Sequence, residues 1–333
     1  MKILIYKILF LALLLTGCAE PSVYVAGWED YGAGRMAKLW KNGIARRHFG
    51  GRQNDAVALG VFVSTNKEVY VVGYDLRPMR SIAKLWKNGV EQHLTIGNAS
   101  SEANSVYVKN NNVYVAGRES NVAKLWINGA AQSLTDGTYS ARALSVYVSS
   151  DNDVYVAGRE QNEHKIDVAK LWKNGIGQSL TDGTFNASAL SVHVSGSDVY
   201  VAGYEENELG NTVAMLWKNG KAQNLTDVIH YNSKANHVFV LNGDVYVAGY
   251  EYITTRRSIA KLWKNGIPQN LTDGATMSVA IAYSVYVTNK NVFVVGTEQN
   301  EEGIYVAKLW KNGIAKSLSG GERAAMAFSV FVK

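Results

Sequence analysis

The sequence is poor in the residues that brace small secreted domains. It has one cysteine, Cys18, so no intramolecular disulfide can form, and thiolate metal clusters and CxxC redox motifs are excluded. Three prolines are too few for a Pro-rich stalk or linker. No apolar stretch, the run near the N-terminus included, is long enough to span a bilayer. No P-loop, dinucleotide fingerprint or nucleophile elbow is present. The six histidines fall at unlike positions, and no pair has the spacing of a zinc site, so neither a metal nor a cofactor is expected. With 47% hydrophobic and 19% charged residues, the chain has the composition of a folded protein.

The first seventeen residues read as an address. Lys2 and Lys7 form a basic start, Ile8 to Leu15 is unbroken apolar sequence, and Leu15-Thr16-Gly17-Cys18 follows. An apolar run this short is a signal-peptide core and not a membrane span. The tetrad resembles a bacterial lipobox. The resemblance implies a signal peptide over 1–17, lipidation of Cys18, a lipidated start over 18–21 and anchoring to a membrane. Ala19, where an aspartate would retain a lipoprotein at the inner membrane, points by the same resemblance to the outer membrane. Cleavage would remove two lysines and no acid from a chain of net charge +6. The remaining mild excess is spread out, unlike a nucleic-acid footprint.

What is abundant is repetition. Trp40, Trp86, Trp126, Trp172, Trp217, Trp263 and Trp310 recur 40 to 47 residues apart, five of them within an unchanged KLWKNG. Ahead of each lies VYVAG or a close variant, at 23–27, 69–73, 113–117, 154–158, 199–203, 245–249 and 292–296. A third motif, SVYV or a variant, recurs from 60–63 to 329–332. Runs of Val, Tyr and Phe read as strands. Asn-Gly behind each tryptophan is a hairpin signal, because both turn positions need positive φ. A weaker fourth strand such as GQSL at 177–180 completes the unit.

Four antiparallel strands per unit, here named a (SVYV), b (VYVAG), c (AKLWKNG) and d, form a propeller blade, and seven units make seven blades. The expectation is an all-β, seven-bladed β-propeller over 22–333. The chain begins in a strand b and ends in a strand a, so pairing them would close the ring and leave no orphan edge. The pattern, VYVAGYE above all, resembles kelch-like and SBBP-type propeller repeats. It lacks the Gly-Gly doublet of kelch proper. The resemblance implies the fold and no activity.

Positions within the blade carry further expectations. The seven tryptophans read as packing between blades more readily than as sugar-stacking platforms. An acid stands two residues past every strand-b glycine, and a lysine stands on strand c in every blade but the fifth, where Met215 replaces it. Cross-strand ion pairs explain this better than a cation-binding ring, and Glu205 is left without a partner. The turn lysines Lys41, Lys87, Lys173, Lys218, Lys264 and Lys311 share the face of the N-terminus and would lie toward the membrane.

The opposite face, made of b–c and d–a loops, holds the variable residues. The channel mouth should be lined near the start of strand a by Glu102, Asn104, Arg142, Lys234, Asn236, His237 and Tyr283. Mixed charge, amide and aromatic groups on a rigid scaffold suit a binding face. Symmetric copies supply one residue seven times, whereas catalysis needs different residues in different roles. The reading is a monomeric, non-catalytic envelope lipoprotein that binds a protein or glycan. An enzyme acting on glycans or small molecules at the mouth is the alternative, and a purely structural role is a third.

Overall fold

The computed structural model describes residues 20–32, 34–49, 55–95, 98–227, 231–274 and 278–333. The signal-like segment and Cys18 lie outside the described residues.

Twenty-eight strands form seven four-stranded antiparallel sheets among these residues. Each sheet is one blade in the order a, b, c, d, with strand a innermost. Blade 4 is typical: Ala141–Val148, Val154–Gln161, Asp167–Lys173 and Ile176–Ser179. Blade 1 takes its strand a, Ala325–Val332, from the far end of the chain and pairs it with Val23–Asp30. Reciprocal bonds between the backbones of Ser22 and Lys333, at 2.7 and 2.9 Å, finish the closure. The fold is the closed propeller that the repeats predict.

Each c–d turn is the hairpin that Asn-Gly specifies, with φ of 51–54° at Asn and 78–86° at Gly. The asparagine has a second use. Its Oδ1 accepts the N–H of the first valine of strand b in all seven blades, at 2.8–2.9 Å. The c–d turn thus ties down the start of the adjacent strand b.

Seven hydrophobic clusters make up the core, and each takes residues from two neighbouring blades. The repeat tryptophan is the largest member: Trp217 of blade 5 packs with Tyr155, Ala157, Ala169 and Leu171 of blade 4. All seven repeat tryptophans are buried, so they are wedges between blades and not exposed platforms. Burial of such an aromatic is worth a few kcal/mol, and seven of them glue the ring.

The repeated acid and lysine meet across strands b and c as expected. Lys38 pairs with Glu29, and the other five pairs close at 2.9–3.5 Å. Glu205 stands opposite Val213, with Met215 in the place of the lysine, and burial raises its pKa, helped by the charge of Asp182. The turn lysines are engaged within the protein. Lys173, Lys218 and Lys264 pair with Asp153, Asp198 and Asp244 at 2.7–2.8 Å, Lys87 with Glu68 at 2.9 Å and Lys311 with Glu20 at 3.3 Å.

Candidate functional site

The channel is built by the seven a strands, and its chemistry follows their residue positions. Each a strand carries a β-bulge at the same place, for example between Ala143 and Ser145. A bulge adds one residue and re-aims side chains. The extra residues, among them Asn104, Leu144, Leu190, Asn236 and Tyr283, therefore line the channel.

One step deeper, a hydroxyl from each blade usually binds the next blade. Ser145 Oγ accepts the Val192 N–H and Ser191 Oγ accepts the Val238 N–H, both at 3.2 Å. In blade 6 the serine is replaced by His237, whose Nδ1 accepts the Val285 N–H at 3.5 Å. His237 thus has a structural bond, and it sits in the channel below the rim.

Deeper still, every a strand presents an aromatic ring: Phe62, Tyr107, Tyr147, His193, Phe239, Tyr286 and Phe331. Neighbouring centroids are 4.6–5.1 Å apart all the way round. This collar lines the channel on the side of the a–b turns. The opposite end, at the b–c and d–a loops, is the mouth. A cavity of about 400 Å³ lies above the collar.

The rim is set by two adjoining positions, the residue of strand a before the alanine and the residue of strand b after the glycine. They pair across the ladder: Glu102 with Arg118, Arg142 with Arg159, Ser188 with Tyr204 and Lys234 with Tyr250. Around blades 3 to 6 the rim is strongly charged. Glu102 holds two guanidiniums, Arg118 at 2.6 Å and Arg142 at 3.3 Å. Arg159 pairs with Asp167. The Lys234 ammonium lies 3.9 Å from the centroid of the Tyr204 ring. Burial lowers the pKa of Arg142, against the pull of Glu102, and lowers that of Lys234, helped by repulsion from Arg159.

Of the residues expected at the mouth, Arg142, Lys234, Asn236 and Tyr283 line one cavity of about 340 Å³. Glu102 stands beside it as the partner of Arg142. Asn104 and His237 lie in the channel space below. The two asparagines are tied across blades: Asn104 Nδ2 donates to Ala143 O and Asn236 Nδ2 to Ala282 O, each at 2.8 Å. Sequence reasoning missed Arg159, Ser188, Tyr204 and Tyr250, which line the same cavity. The readable signal was the residue after each strand-b glycine, which varies while the motif around it repeats. The aromatic collar was also missed, although the third residue of SVYV is aromatic in every copy.

The two channel histidines give a pH prediction. Burial holds His193 down to about 3 and His237 down to about 4, so both are neutral in the folded protein at pH 7. An unfolded chain protonates them near pH 6.5. Stability is therefore present above about pH 6.5 and falls as pH drops toward 4, where only the unfolded chain takes the protons. The loss at pH 4.5 should be on the order of 2 kcal/mol for each histidine, discounted for their partial access to the channel. A His193→Phe, His237→Ser double variant, using residues other blades carry there, should keep more of its stability in urea titrations at pH 4.5. Equal pH slopes for both proteins would refute this.

No protein-family model matches the chain, and no curated protein does. Solved structures do. The β-propeller domain of the Trilobed protease from Pyrococcus furiosus matches with a TM-score of 0.55 at 10% identity, over 91% of this chain and 93% of that one. A virginiamycin B lyase from Staphylococcus aureus, with quinupristin, matches with a TM-score of 0.51 at 11% identity, over 84% of this chain and 92% of that one. The likeness is one of fold alone. The Pyrococcus domain has an open velcro topology, whereas here the last strand closes the first blade.

Proposed function

We propose that this chain is a non-catalytic binding protein of the bacterial cell envelope, anchored by lipid on Cys18, whose propeller takes a glycan or protein partner at the channel mouth. The address rests on the lipobox-like LTGC and the run before it. The kelch-like character of the repeats is part of this reading. The N-terminal strand, Val23–Asp30, starts on the side of the a–b turns, the face opposite the mouth.

The observation that carries the binding role is where the sevenfold repetition breaks. Tryptophans, turns and bulges are copied in all seven blades, and cross-strand ion pairs in six. The rim positions are not: Glu102, Arg142, Ser188 and Lys234 stand at one equivalent place in successive blades. A recess with a few distinct polar groups suits a small or chain-end ligand such as a sugar better than a flat protein surface.

An enzyme would require converging acid and base groups. Among the described residues the linings of the two channel cavities contain no aspartate or glutamate, Glu102 is committed to two arginines, and His237 accepts a backbone bond. These observations favour binding.

The test is a screen of envelope glycans and proteins against the chain and a Leu190→Trp variant, whose indole would obstruct the channel. The expected result is a ligand captured by the first and lost by the second. Capture that ignores the substitution would remove the mouth from the proposal. Palmitate labelling lost on Cys18→Ser checks the anchor.

A further inference from the structure

We propose that the rim formed by blades 4 to 6 is an oxyanion site, made to hold the carboxylate or phosphate of a sugar-sized molecule. The proposal rests on the mouth being the binding surface and names the chemistry of its ligand.

Charge is unbalanced at this rim. Arg118 and Arg142 share one carboxylate, Glu102, and Arg159 has Asp167. Among the described residues Lys234 has no ion pair, and Glu206 attracts it only from a distance. Arg142, Arg159 and Lys234 all line the one cavity, and Arg159 lies close enough to repel each of the other two. Cations that outnumber the anions in a half-buried recess are costly, and a bound anion lowers that cost. Guanidinium forks and an ammonium are the donors that carboxylate and phosphate oxygens accept best.

A second observation points the same way. Ser188 is 1% exposed, and among the described residues its Oγ has no hydrogen-bond partner although it lines this cavity. Buried hydroxyls are nearly always paired, so an unpaired donor beside three cations marks a place for an acceptor. The position is one of the asymmetric rim positions and is filled by arginine and lysine in the flanking blades.

The rest of the recess fits the body of such a ligand. Tyr204, Tyr250 and Tyr283 wall the cavity, and Leu144 and Leu190 connect it to the space above the aromatic collar. A volume of about 340 Å³ suits one sugar unit with its anionic group. Tyrosine faces offer stacking surface to the apolar side of a sugar ring.

The experiment is calorimetric titration of the full chain with glucuronate, glucose 6-phosphate and inorganic phosphate, with glucose as the uncharged control. One oxyanion should bind saturably, one per chain, at least about tenfold more tightly than glucose, and more weakly in high salt. Glucuronate preference identifies a carboxylate site, and preference for either phosphate a phosphoryl site. Arg142→Gln and Lys234→Met should each weaken binding about tenfold, and Ser188→Ala about threefold. Glu102 keeps Arg118 in the first variant, so the fold should persist, as an unchanged melting temperature would show. Lys173→Met, on the opposite face, should leave affinity unchanged.

Equal affinity for glucose and the anions, binding that survives both charge variants, or no saturable binding up to about 10 mM would each overturn the oxyanion assignment. The mouth reading is judged separately. An uncharged ligand blocked by Leu190→Trp would uphold the mouth while the oxyanion assignment fell.

Discussion

Gly203→Ala is expected to cost about 4 kcal/mol or more, the range reached when a core is overpacked against backbone. Glycine weakens a strand interior, yet VYVAG places one in every blade. The reason is the bulge on strand a. It pushes the carbonyl of the rim residue toward strand b, so that a Cβ on Gly203 would stand 2.0 Å from Ser188 O and 3.0 Å from the Trp217 ring. The same contact, with the carbonyls of Arg142, Lys234 and their counterparts, recurs at 1.9–2.1 Å in all seven blades. A backbone oxygen cannot swing away as a side chain can. Urea unfolding should therefore show Gly203→Ala far less stable than Gly320→Ala, where the new Cβ meets only the flexible end of Glu322 at 3.3 Å. A Gly203→Ala protein within 1 kcal/mol of the parent, on the order of an ordinary surface change, would show that the bulge yields and the account is wrong. Because the blocking carbonyl belongs to Ser188, the glycine also fixes the backbone that carries the rim.

Removing residues 325–333 should abolish cooperative unfolding. That strand supplies Ala325, Ala327, Val330 and Val332 to the core between blades 7 and 1. It also supplies Ser329 Oγ to the Val61 N–H at 3.2 Å, and its Val330 N–H donates to Ser284 Oγ at 3.3 Å. Without it, strand b of blade 1 becomes an open edge and the ring loses a wedge of apolar contact. Aggregation or a broad, probe-dependent denaturation curve is expected by circular dichroism and light scattering. A circular permutant provides the contrast. Ser22 and Lys333 already exchange hydrogen bonds, so joining them by a short linker and opening the chain between blades should preserve a sharp transition. A truncated chain with a parent-like transition would mean that closure contributes little.

Strand content, blade number and the order a to d were legible because each depends on local chemistry repeated seven times. Asn-Gly selects its turn from φ alone, and Val-Tyr-Val alternation selects a strand. Inward tryptophans and cross-strand Glu–Lys pairs followed once the strands were aligned, since register places their partners. The mouth was half legible. Arg142, Lys234, Asn236 and Tyr283 were found because strand a was known to line the channel. Arg159, Tyr204 and Tyr250 belong to strand b, and only the observed ladder shows that they stand level with the rim. The bulge was invisible, because one extra residue in a run of small and apolar residues leaves the pattern readable either way.

By itself the sequence determined the seven units, their strands and turns, and the residues free to differ between copies. Short-range backbone preference and periodicity are enough for that. Only the tertiary structure decided which differing residues meet. Whether Glu102 neutralises one arginine or two, and whether Ser188 finds a partner, depends on the curvature of the closed ring and the bulge that turns each side chain inward. Those distances arise between blades about 40 to 47 residues apart in the chain, where no local rule reaches, and they leave three cations facing a single recess.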